Sequence, residues 1–514
     1  MKHMKNLMYL GITGCSSLTR MPEGIGQLSC LQSLSFFIVG NKNGYQVSEL
    51  KGLNLRNKLT IKELDNVRNS VEAKSANLIG KKNLHSLSLD WRSDNKSHVP
   101  DHVEDVLDGL QPHSNLTVLS INNYHGSKIP TWIQDSVLCD LVEISLDCWE
   151  RCEHLPLLGK LPLLKVLKIT GWHAVKYIGN EFHGDTAISF PSLKEFRLHK
   201  MHDLEEWRTM NGRENFPCLS TLEITECPKL VGIPIIPSIT GLTMSRNNAM
   251  LIRSVMNLTS LSSLVIDGMD DELTVLPDGL LQNHKMLEML EISKMPNLKS
   301  LTNQLDNLSA LNKLYLGCCD KIESLPEGLQ NLHSLRILSI EACNNLLSLP
   351  MNGLQGLSSL RILYIVRCNK FRSLSEGIQY LIALEELCIH FCPKLISLPE
   401  GIQHLTALCY LRICYCIDLS SLPKQIGCLT SLSALDILLC PNLMSIPDEL
   451  QNLTALKRLE INGCPHLEKR CKKDSGEDWH KISHIPYIEI YPQYSDSEIP
   501  SSTGWGSLRK LKCC

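Results

Sequence analysis

The sequence predicts an α/β solenoid of roughly twenty short repeats, a horseshoe with parallel strands on its concave face and an irregular or 3-10 return on its convex face. Three observations predict this fold class: a recurring leucine, an alternating apolar segment at each recurrence, and a proline at a fixed distance behind it. The leucines stand 24 residues apart, once 25, at Leu287, Leu311, Leu335, Leu360, Leu384, Leu408, Leu432 and Leu456.

One repeat is complete in the segment that begins at Leu384. Its pattern, L-x-x-L-x-I/L-x-x-C-x-x-L-x-x-L-P-x-G-I/L-x-x-L, is that of a leucine-rich repeat. The alternating L-x-I segment predicts a short strand with its apolar side chains pointing inward. Prolines lack an amide donor and favour an extended or turn backbone, so an irregular or 3-10 return, not a long helix, is expected after each one. They are Pro326, Pro350, Pro399, Pro423 and Pro447, and Ser375 takes the place of one.

Composition narrows the classes of function. A formal charge of -3, from 51 basic and 54 acidic residues, provides no basic field for nucleic acid. No uninterrupted apolar stretch of about eighteen residues occurs, so no membrane span is expected. The 22 cysteines recur mostly at one repeat position and not in pairs, which predicts reduced thiols and a cytoplasmic protein.

Seven of these cysteines are expected to stack about 4.8 Å apart along the solenoid. We interpret them as a buried ladder at the position where many leucine-rich repeats carry asparagine, with zinc or redox chemistry as the alternative. The spacings predict no metal site and no cofactor, and no catalytic residue is assigned because histidines and carboxylates form no local catalytic motif. We therefore do not expect an enzyme. The ladder comprises Cys319, Cys343, Cys368, Cys392, Cys416, Cys440 and Cys464.

The repeats are expected to span residues 1–490, irregular with insertions over 1–310 and regular over 311–467. Val71 to Leu78 and Val103 to Leu110 are predicted to be short helices, and Trp91 to Pro100 a polar loop. Residues 468–490 are predicted to form a solvated C-terminal cap, and 491–514 a disordered tail. Irregular strand signatures begin at Leu7, Leu84, Leu116, Leu141, Leu164, Leu193, Leu219 and Leu261.

Landmarks outside the leucine period cover nearly the whole chain. They are Met21–Leu28, Leu64–Val67, Leu110–Leu116, Leu155–Pro162, Ile178–Phe182, Phe190–Leu193, Leu204–Trp207 and Gly476–Trp479. In this order they resemble the leucine-rich-repeat region of plant nucleotide-binding, leucine-rich-repeat disease-resistance proteins of the coiled-coil class, particularly the blight-resistance-analogue group. The chain departs from that family because it has no G-x-x-x-x-G-K-[ST] phosphate loop, so we expect it to lack the nucleotide-binding domain.

The resemblance implies the protein-recognition region of an intracellular immune receptor. Such a region acts in the defense response by sensing a pathogen effector or a guarded host protein, with the nucleotide-binding domain of the full-length receptor as a further partner. Two alternatives stay open: a stand-alone cytosolic scaffold or decoy, and an extracellular repeat inhibitor or receptor ectodomain. Five N-x-[ST] sequons could support the extracellular alternative, but the repeat itself generates the N-L-[ST] type. They lie at Asn95, Asn115, Asn257, Asn307 and Asn452.

A protein partner is expected on the concave strands, where a rigid scaffold presents variable residues. Aromatic and arginine residues concentrate in the middle of the regular repeats, a composition typical of interface hot spots. Arg367, Phe391 and Tyr415 occupy one position on three consecutive repeats. The variable residues of these strands also include the acidic residues Glu341, Glu386, Asp436 and Glu460. The candidate partner-binding residues are Tyr315, Tyr364, Arg367, His390, Phe391, Tyr410, Arg412 and Tyr415.

Overall fold

The computed structural model describes residues 4–15, 17–92, 102–134, 137–209, 214–270, 273–301 and 303–491. Most of the polar loop expected at Trp91 to Pro100, the sequon at Asn95 and the tail after Tyr491 lie outside the described residues. The chain divides into two compact units. Unit 1 comprises residues 1–273 and 277–290, and unit 2 comprises residues 274–276 and 291–514.

Unit 1 is built on a parallel sheet with strands in the order β3-β4-β5-β6-β7-β8-β11-β14-β15-β16. Short parallel pairs accompany it: β1 with β2, β9 with β12 and β10 with β13. The strands are β1 (Tyr9–Leu10), β2 (Ser33–Leu34), β3 (Phe37–Ile38), β4 (Asn57–Lys62), β5 (Leu84–Asp90), β6 (Val118–Asn122), β7 (Glu143–Asp147), β8 (Val166–Thr170), β9 (Tyr177–Ile178), β10 (Ile188–Ser189), β11 (Glu195–His199), β12 (Glu206–Trp207), β13 (Glu214–Asn215), β14 (Thr221–Thr225), β15 (Gly241–Ser245) and β16 (Ser263–Asp267).

Unit 2 repeats one strand per leucine period. The boundary between the units falls within strand β17 (Met289–Ser293), after Leu290. Each strand from β18 onward pairs in parallel with the next. These strands are β18 (Lys313–Gly317), β19 (Ile337–Glu341), β20 (Ile362–Val366), β21 (Glu386–His390), β22 (Tyr410–Cys414), β23 (Ala434–Leu438), β24 (Arg458–Asn462) and β25 (Tyr487–Tyr491). The predicted leucine-rich-repeat solenoid is therefore confirmed.

Helices are short and lie between the strands. The two predicted insertion helices are confirmed at α1 (Ser70–Ser75) and α2 (Val103–Gly109). None of the helices in the described part of the chain is long and apolar enough to span a bilayer. The others are α3 (Thr131–Gln134), α4 (Asn180–His183), α5 (Pro465–Arg470) and α6 (Trp479–Ile482). The 3-10 helices are Ile25–Gln27, Val47–Leu50, Leu64–Asn66, Leu78–Gly80, Ala249–Asn257, Asn303–Asn307, Glu327–Asn331, Glu376–Tyr380, Glu400–His404, Lys424–Cys428 and Asp448–Asn452.

The core of unit 2 includes the second and fourth residue of every regular strand. In β21 these are Leu387 and Ile389, both 0% exposed. Leu387 pairs in register with Leu363 on β20 and Leu411 on β22, so side chains of one kind stack along the unit. A slip of one residue would turn these leucines to solvent, which fixes the register and leaves the first, third and fifth residues facing outward.

The predicted irregular or 3-10 return is confirmed in the regular repeats, and residues 351–356 after Pro350 form turns without a 3-10 helix. Four 3-10 helices begin directly after Pro326, Pro399, Pro423 and Pro447, whose φ angles lie between -63° and -72°. Ser375 precedes an equivalent helix with φ 59°, a left-handed value that the proline ring forbids. Serine in place of proline at this position therefore keeps the spacing of the repeat but changes the backbone conformation just before the 3-10 helix.

The predicted buried cysteine ladder is also confirmed in unit 2. All seven ladder cysteines are at most 1% exposed, and each thiol lies 3.3 to 4.0 Å from a strand carbonyl oxygen. All cysteines in the described part of the chain are free thiols. Hydrogen bonding to a neighbouring ladder thiol, and then burial, raise the pKa of Cys343, Cys368 and Cys464 far above the usual range. These three ladder thiols therefore stay protonated and poorly nucleophilic at neutral pH.

Unit 1 carries large rings at the ladder position, a feature that the sequence analysis did not predict. Tyr124, Trp149 and Trp172 each follow a strand by two residues and are buried. Trp149 lies 4.5 Å from the Tyr124 ring and stacks on Trp172 at 4.8 Å with an interplanar angle of 8°. Its Nε1 donates to the carbonyl oxygen of Ile121 at 3.3 Å. Aromatic stacking thus replaces the thiol contacts of the regular repeats.

Two buried charges hold the C-terminal segment, a feature that the sequence analysis did not predict. Asp478 is 1% exposed and accepts hydrogen bonds from Arg470 Nε at 2.8 Å and from the Ile446 amide at 3.2 Å. Lys481 Nζ lies 2.9 Å from Asp478 and donates to the Ile446 carbonyl at 2.7 Å. Strand β25 then pairs with β24 and ends at Tyr491, one residue beyond the predicted boundary of the solenoid.

Candidate partner-binding surface

The strand face of unit 2 is the outward surface formed by the first, third and fifth residues of β18 to β24 and by the residue after each strand. All eight candidate residues lie on this face. Tyr315 is two strands away from Tyr364, with Ser339 between them in register, so it lies apart from the other candidates. Tyr364, His390, Tyr410 and Arg412 lie within β20 to β22, while Arg367, Phe391 and Tyr415 directly follow those three strands.

Arg367, Phe391 and Tyr415 form a continuous row, here called the strand-end row. The guanidinium carbon of Arg367 is 5.8 Å from the centroid of the Phe391 ring, within the range of a cation–π contact. The Phe391 and Tyr415 rings are 5.1 Å apart and tilted by 36°. Arg367 Nη1 also lies 3.6 Å from Glu341 Oε1. Because Arg367 and Tyr415 are exposed, the row is accessible to another molecule.

Every residue of the strand-end row has a left-handed backbone. Their φ angles are 54° to 56°, and the equivalent residues Ala342 and Leu439 have φ 52° and 51°. This conformation lets each amide donate to the last carbonyl of the next strand, as from Arg367 to His390 at 2.8 Å. Glycine is the residue that adopts such a backbone without strain. Backbone preference therefore does not explain why arginine, phenylalanine and tyrosine occupy this row.

The strain predicts an unusual stabilising substitution. Ala342→Gly is expected to raise the free energy of unfolding by about 1 kcal/mol, because glycine removes the left-handed cost at φ 52°. Ala434→Gly is the matched control, since Ala434 is equally half-buried but lies in strand β23, and it should lower the same free energy by about 0.5–1 kcal/mol. Urea denaturation of both variants checks the prediction. Equal destabilisation by both would show that the left-handed backbone carries no strain.

Asp436 connects three strands of the strand face. It is the third residue of β23 and is 0% exposed. Its carboxylate accepts hydrogen bonds from the Tyr410 hydroxyl at 2.6 Å, from Arg412 Nε at 2.9 Å and from Arg458 Nη2 at 2.7 Å. Burial, and then the hydrogen bond to Asp436, raise the pKa of Tyr410. Tyr410 and Arg412 are therefore fixed in place before any partner arrives.

Sequence reasoning placed Asp436 among the variable strand residues but did not pair it with Arg412, although one signal for that pairing was present. Asp436 occupies the same strand position as Arg412, one repeat later. Opposite charges at equivalent positions of neighbouring parallel strands are close enough to pair. Comparing the third residues of neighbouring strands for opposite charges therefore identifies Asp436 as the partner of Arg412.

Tyr364 and His390 occupy the centre of the face. The Tyr364 hydroxyl donates to Glu386 Oε1 at 2.9 Å. Burial, with the positive charge of Arg412, lowers the pKa of His390 to about 4, so its ring is neutral at cellular pH. Its Nε2 has no hydrogen-bond partner among the residues that the structure describes. The face thus combines ordered aromatic rings with acceptor atoms, a chemistry suited to contacts with protein side chains.

The repeats and this outward surface define a leucine-rich-repeat protein. A family model for R13L1/DRL21 leucine-rich repeats matches residues 47–172. A second model, for a leucine-rich repeat region, matches residues 318–514. The repeats of this chain are similar to those of plant disease resistance proteins, as the following relatives show.

The chain is 39% identical over 290 residues to the disease resistance protein RGA1 of Solanum bulbocastanum, covering 56% of this chain and 29% of that protein. Disease resistance protein RGA2 of the same species is 36% identical over 286 residues, with 54% and 27% covered. The disease resistance RPP13-like protein 1 of Arabidopsis thaliana is 31% identical over 309 residues, with 55% and 29% covered. The matched part of the chain spans less than a third of the length of each of these curated relatives.

Solved structures support the fold. A leucine-rich-repeat protein of Leptospira interrogans matches with a TM-score of 0.50 and 20% identity, covering 95% of this chain and 97% of that chain. A chain of the TLR13-ssRNA13 complex matches with a TM-score of 0.59 and 18% identity, covering 96% and 75%. Identities this low establish the repeat architecture and nothing about ligands.

Proposed function

We propose that this chain is the protein-recognition region of a plant intracellular immune receptor, which acts in the cytoplasm in the defense response by sensing a pathogen effector or a guarded host protein. The observation that carries the proposal is the similarity to disease resistance proteins of Solanum and Arabidopsis over more than half of the chain. In the proposal, a nucleotide-binding domain of a full-length receptor is a second partner. Leucine-rich repeats present an extended surface that suits protein recognition.

The strand face of unit 2 is the recognition surface in this proposal. Arg412 and Tyr410 are held by Asp436, and Phe391 packs against Tyr415, so these side chains lose little conformational freedom when a partner binds. Aromatic and arginine side chains are also the types that contribute most to protein interfaces. Both properties favour a protein ligand at the middle of the regular repeats.

The proposal predicts that the double variant Phe391→Ala with Tyr415→Ala loses the native partner. Truncating two stacked rings at an interface should weaken binding at least about tenfold. The tagged chain, wild type or variant, is expressed in leaf tissue, cross-linked and purified, and the captured proteins are quantified by mass spectrometry.

A control variant removes two exposed apolar side chains from a different surface. Ile396 and Met444 are 54% and 51% exposed and lie outside the strand face, so alanine at both should leave capture unchanged. Circular dichroism verifies that every variant is folded. Equal capture by all three proteins contradicts the proposed recognition surface.

A further inference from the structure

Glu341 is a buried carboxylate with an incomplete set of partners. It is the fifth residue of β19 and is 6% exposed. Its Oε2 forms no hydrogen bond within the part of the chain that the structure describes. Its Oε1 lies 3.6 Å from Arg367 Nη1, which is longer than a hydrogen bond. A carboxylate in this position is costly to ionise, and burial raises the pKa of Glu341, an effect that the Arg367 charge opposes.

The strands beside Glu341 supply no side-chain donor at its register. Gly317 on β18 and Val366 on β20 are its neighbours, and neither carries a polar side chain. The cation that acts on Glu341 is Arg367, and its side chain is only weakly held. Its side chain is 45% exposed, and its two described contacts, to Glu341 and to the Phe391 ring, are both long.

The other cations in the centre of the strand face are already engaged. Arg412 and Arg458 both bind Asp436, which is fully buried between them. Among the described residues, Glu341 therefore has a long ion pair to Arg367 and no hydrogen-bond donor for its Oε2. On the other side of Arg367, the Phe391 ring lies 5.8 Å from the guanidinium and presents a surface that attracts a cation and packs against an aliphatic stem.

We propose that Glu341 binds a basic side chain, lysine or arginine, of the protein partner, which displaces Arg367 from the carboxylate and packs against Phe391. The inference rests on the proposed function, because it specifies the chemistry of the partner at the strand face. The partner restores to Glu341 the charge-assisted hydrogen bonds that the free chain does not provide.

The test uses a fluorescein-labelled hexa-arginine peptide, with its anisotropy measured on the purified full chain at physiological salt. Hexacitrulline is the uncharged control peptide with the same shape, and it should bind at least about tenfold more weakly. Glu341→Gln should weaken hexa-arginine binding by at least about tenfold, because glutamine keeps the shape of the side chain and removes its charge. The amide also removes a buried charge, so this variant is expected to fold.

The matched control is Glu385→Gln, an exposed acid that pairs with Arg361 at 3.1 Å beside the same strands, and it should leave the affinity unchanged. Arg367→Met should tighten binding severalfold because the internal competitor is removed. Equal weakening by the two glutamine variants, or equal binding of both peptides, overturns the inference. The peptide assay measures whether Glu341 binds a basic side chain. The capture experiment with the Phe391 and Tyr415 variant measures whether the strand face binds the native partner. The further inference and the proposed function can therefore fail separately.

Discussion

Replacing Asp436 with alanine should lower the free energy of unfolding of the chain by about 3–5 kcal/mol. The substitution removes the acceptor that two guanidinium groups and the Tyr410 hydroxyl share, and it leaves those donors partly buried without a counter-charge. The loss should be concentrated in β22 to β24, the strands that Asp436 joins. Urea denaturation measures the total change, and amide hydrogen exchange locates it.

The control for Asp436 is an aspartate in an ion pair on the surface. Asp418 pairs with Lys394 at 3.0 Å, and both side chains are more than a third exposed. Asp418→Ala should therefore change the free energy of unfolding by no more than about 1 kcal/mol. Replacing Arg412, Asp436 and Arg458 together with methionine, leucine and methionine should recover much of the stability, because no buried charge is then left unpaired. An Asp436→Ala variant as stable as Asp418→Ala would contradict the assigned role.

Replacing Trp149 with alanine should cost about 3–5 kcal/mol in unit 1, because a fully buried ring leaves a large cavity. The variant also loses the stacking on Trp172 and the hydrogen bond to the Ile121 carbonyl. Thermal unfolding followed by tryptophan fluorescence measures the loss, and near-ultraviolet circular dichroism should lose the signal of the stacked pair.

A ring on the surface of the same unit provides the comparison. Tyr177 is 46% exposed, and Tyr177→Ala should lower stability by about 1 kcal/mol or less. If Trp149→Ala costs no more than Tyr177→Ala, the aromatic ladder does not hold unit 1 together.

The strands of unit 2 could be predicted because one position of the repeat determines the others. Each of them from β18 to β24 begins two residues after the recurring leucine, as with Leu384 and Glu386. Strand β15 in unit 1 was missed because its repeat is short and Met244 takes the inward position of a leucine or isoleucine. Any apolar side chain of suitable volume fills that space, so the packing tolerates a pattern that sequence reasoning does not recognise.

The candidate surface was predictable only in part. Alternation along the strands placed Tyr364, Arg412 and their neighbours on the outward face, since a strand turns successive side chains to opposite sides. Which of them pair across strands depends on side-chain rotamers and burial. The roles of Asp436 and Glu341 therefore emerged only from distances and exposure in the folded chain.

The most direct test of the recognition surface is site-specific photo-cross-linking in leaf tissue. Benzoylphenylalanine replaces Tyr415 on the strand face in one variant and Met444 outside it in another, since both positions are exposed. The proposal predicts a defined cross-linked host or pathogen protein from the Tyr415 position and none from the Met444 position. A cross-link from Met444 alone would contradict the strand face as the surface that recognises the partner.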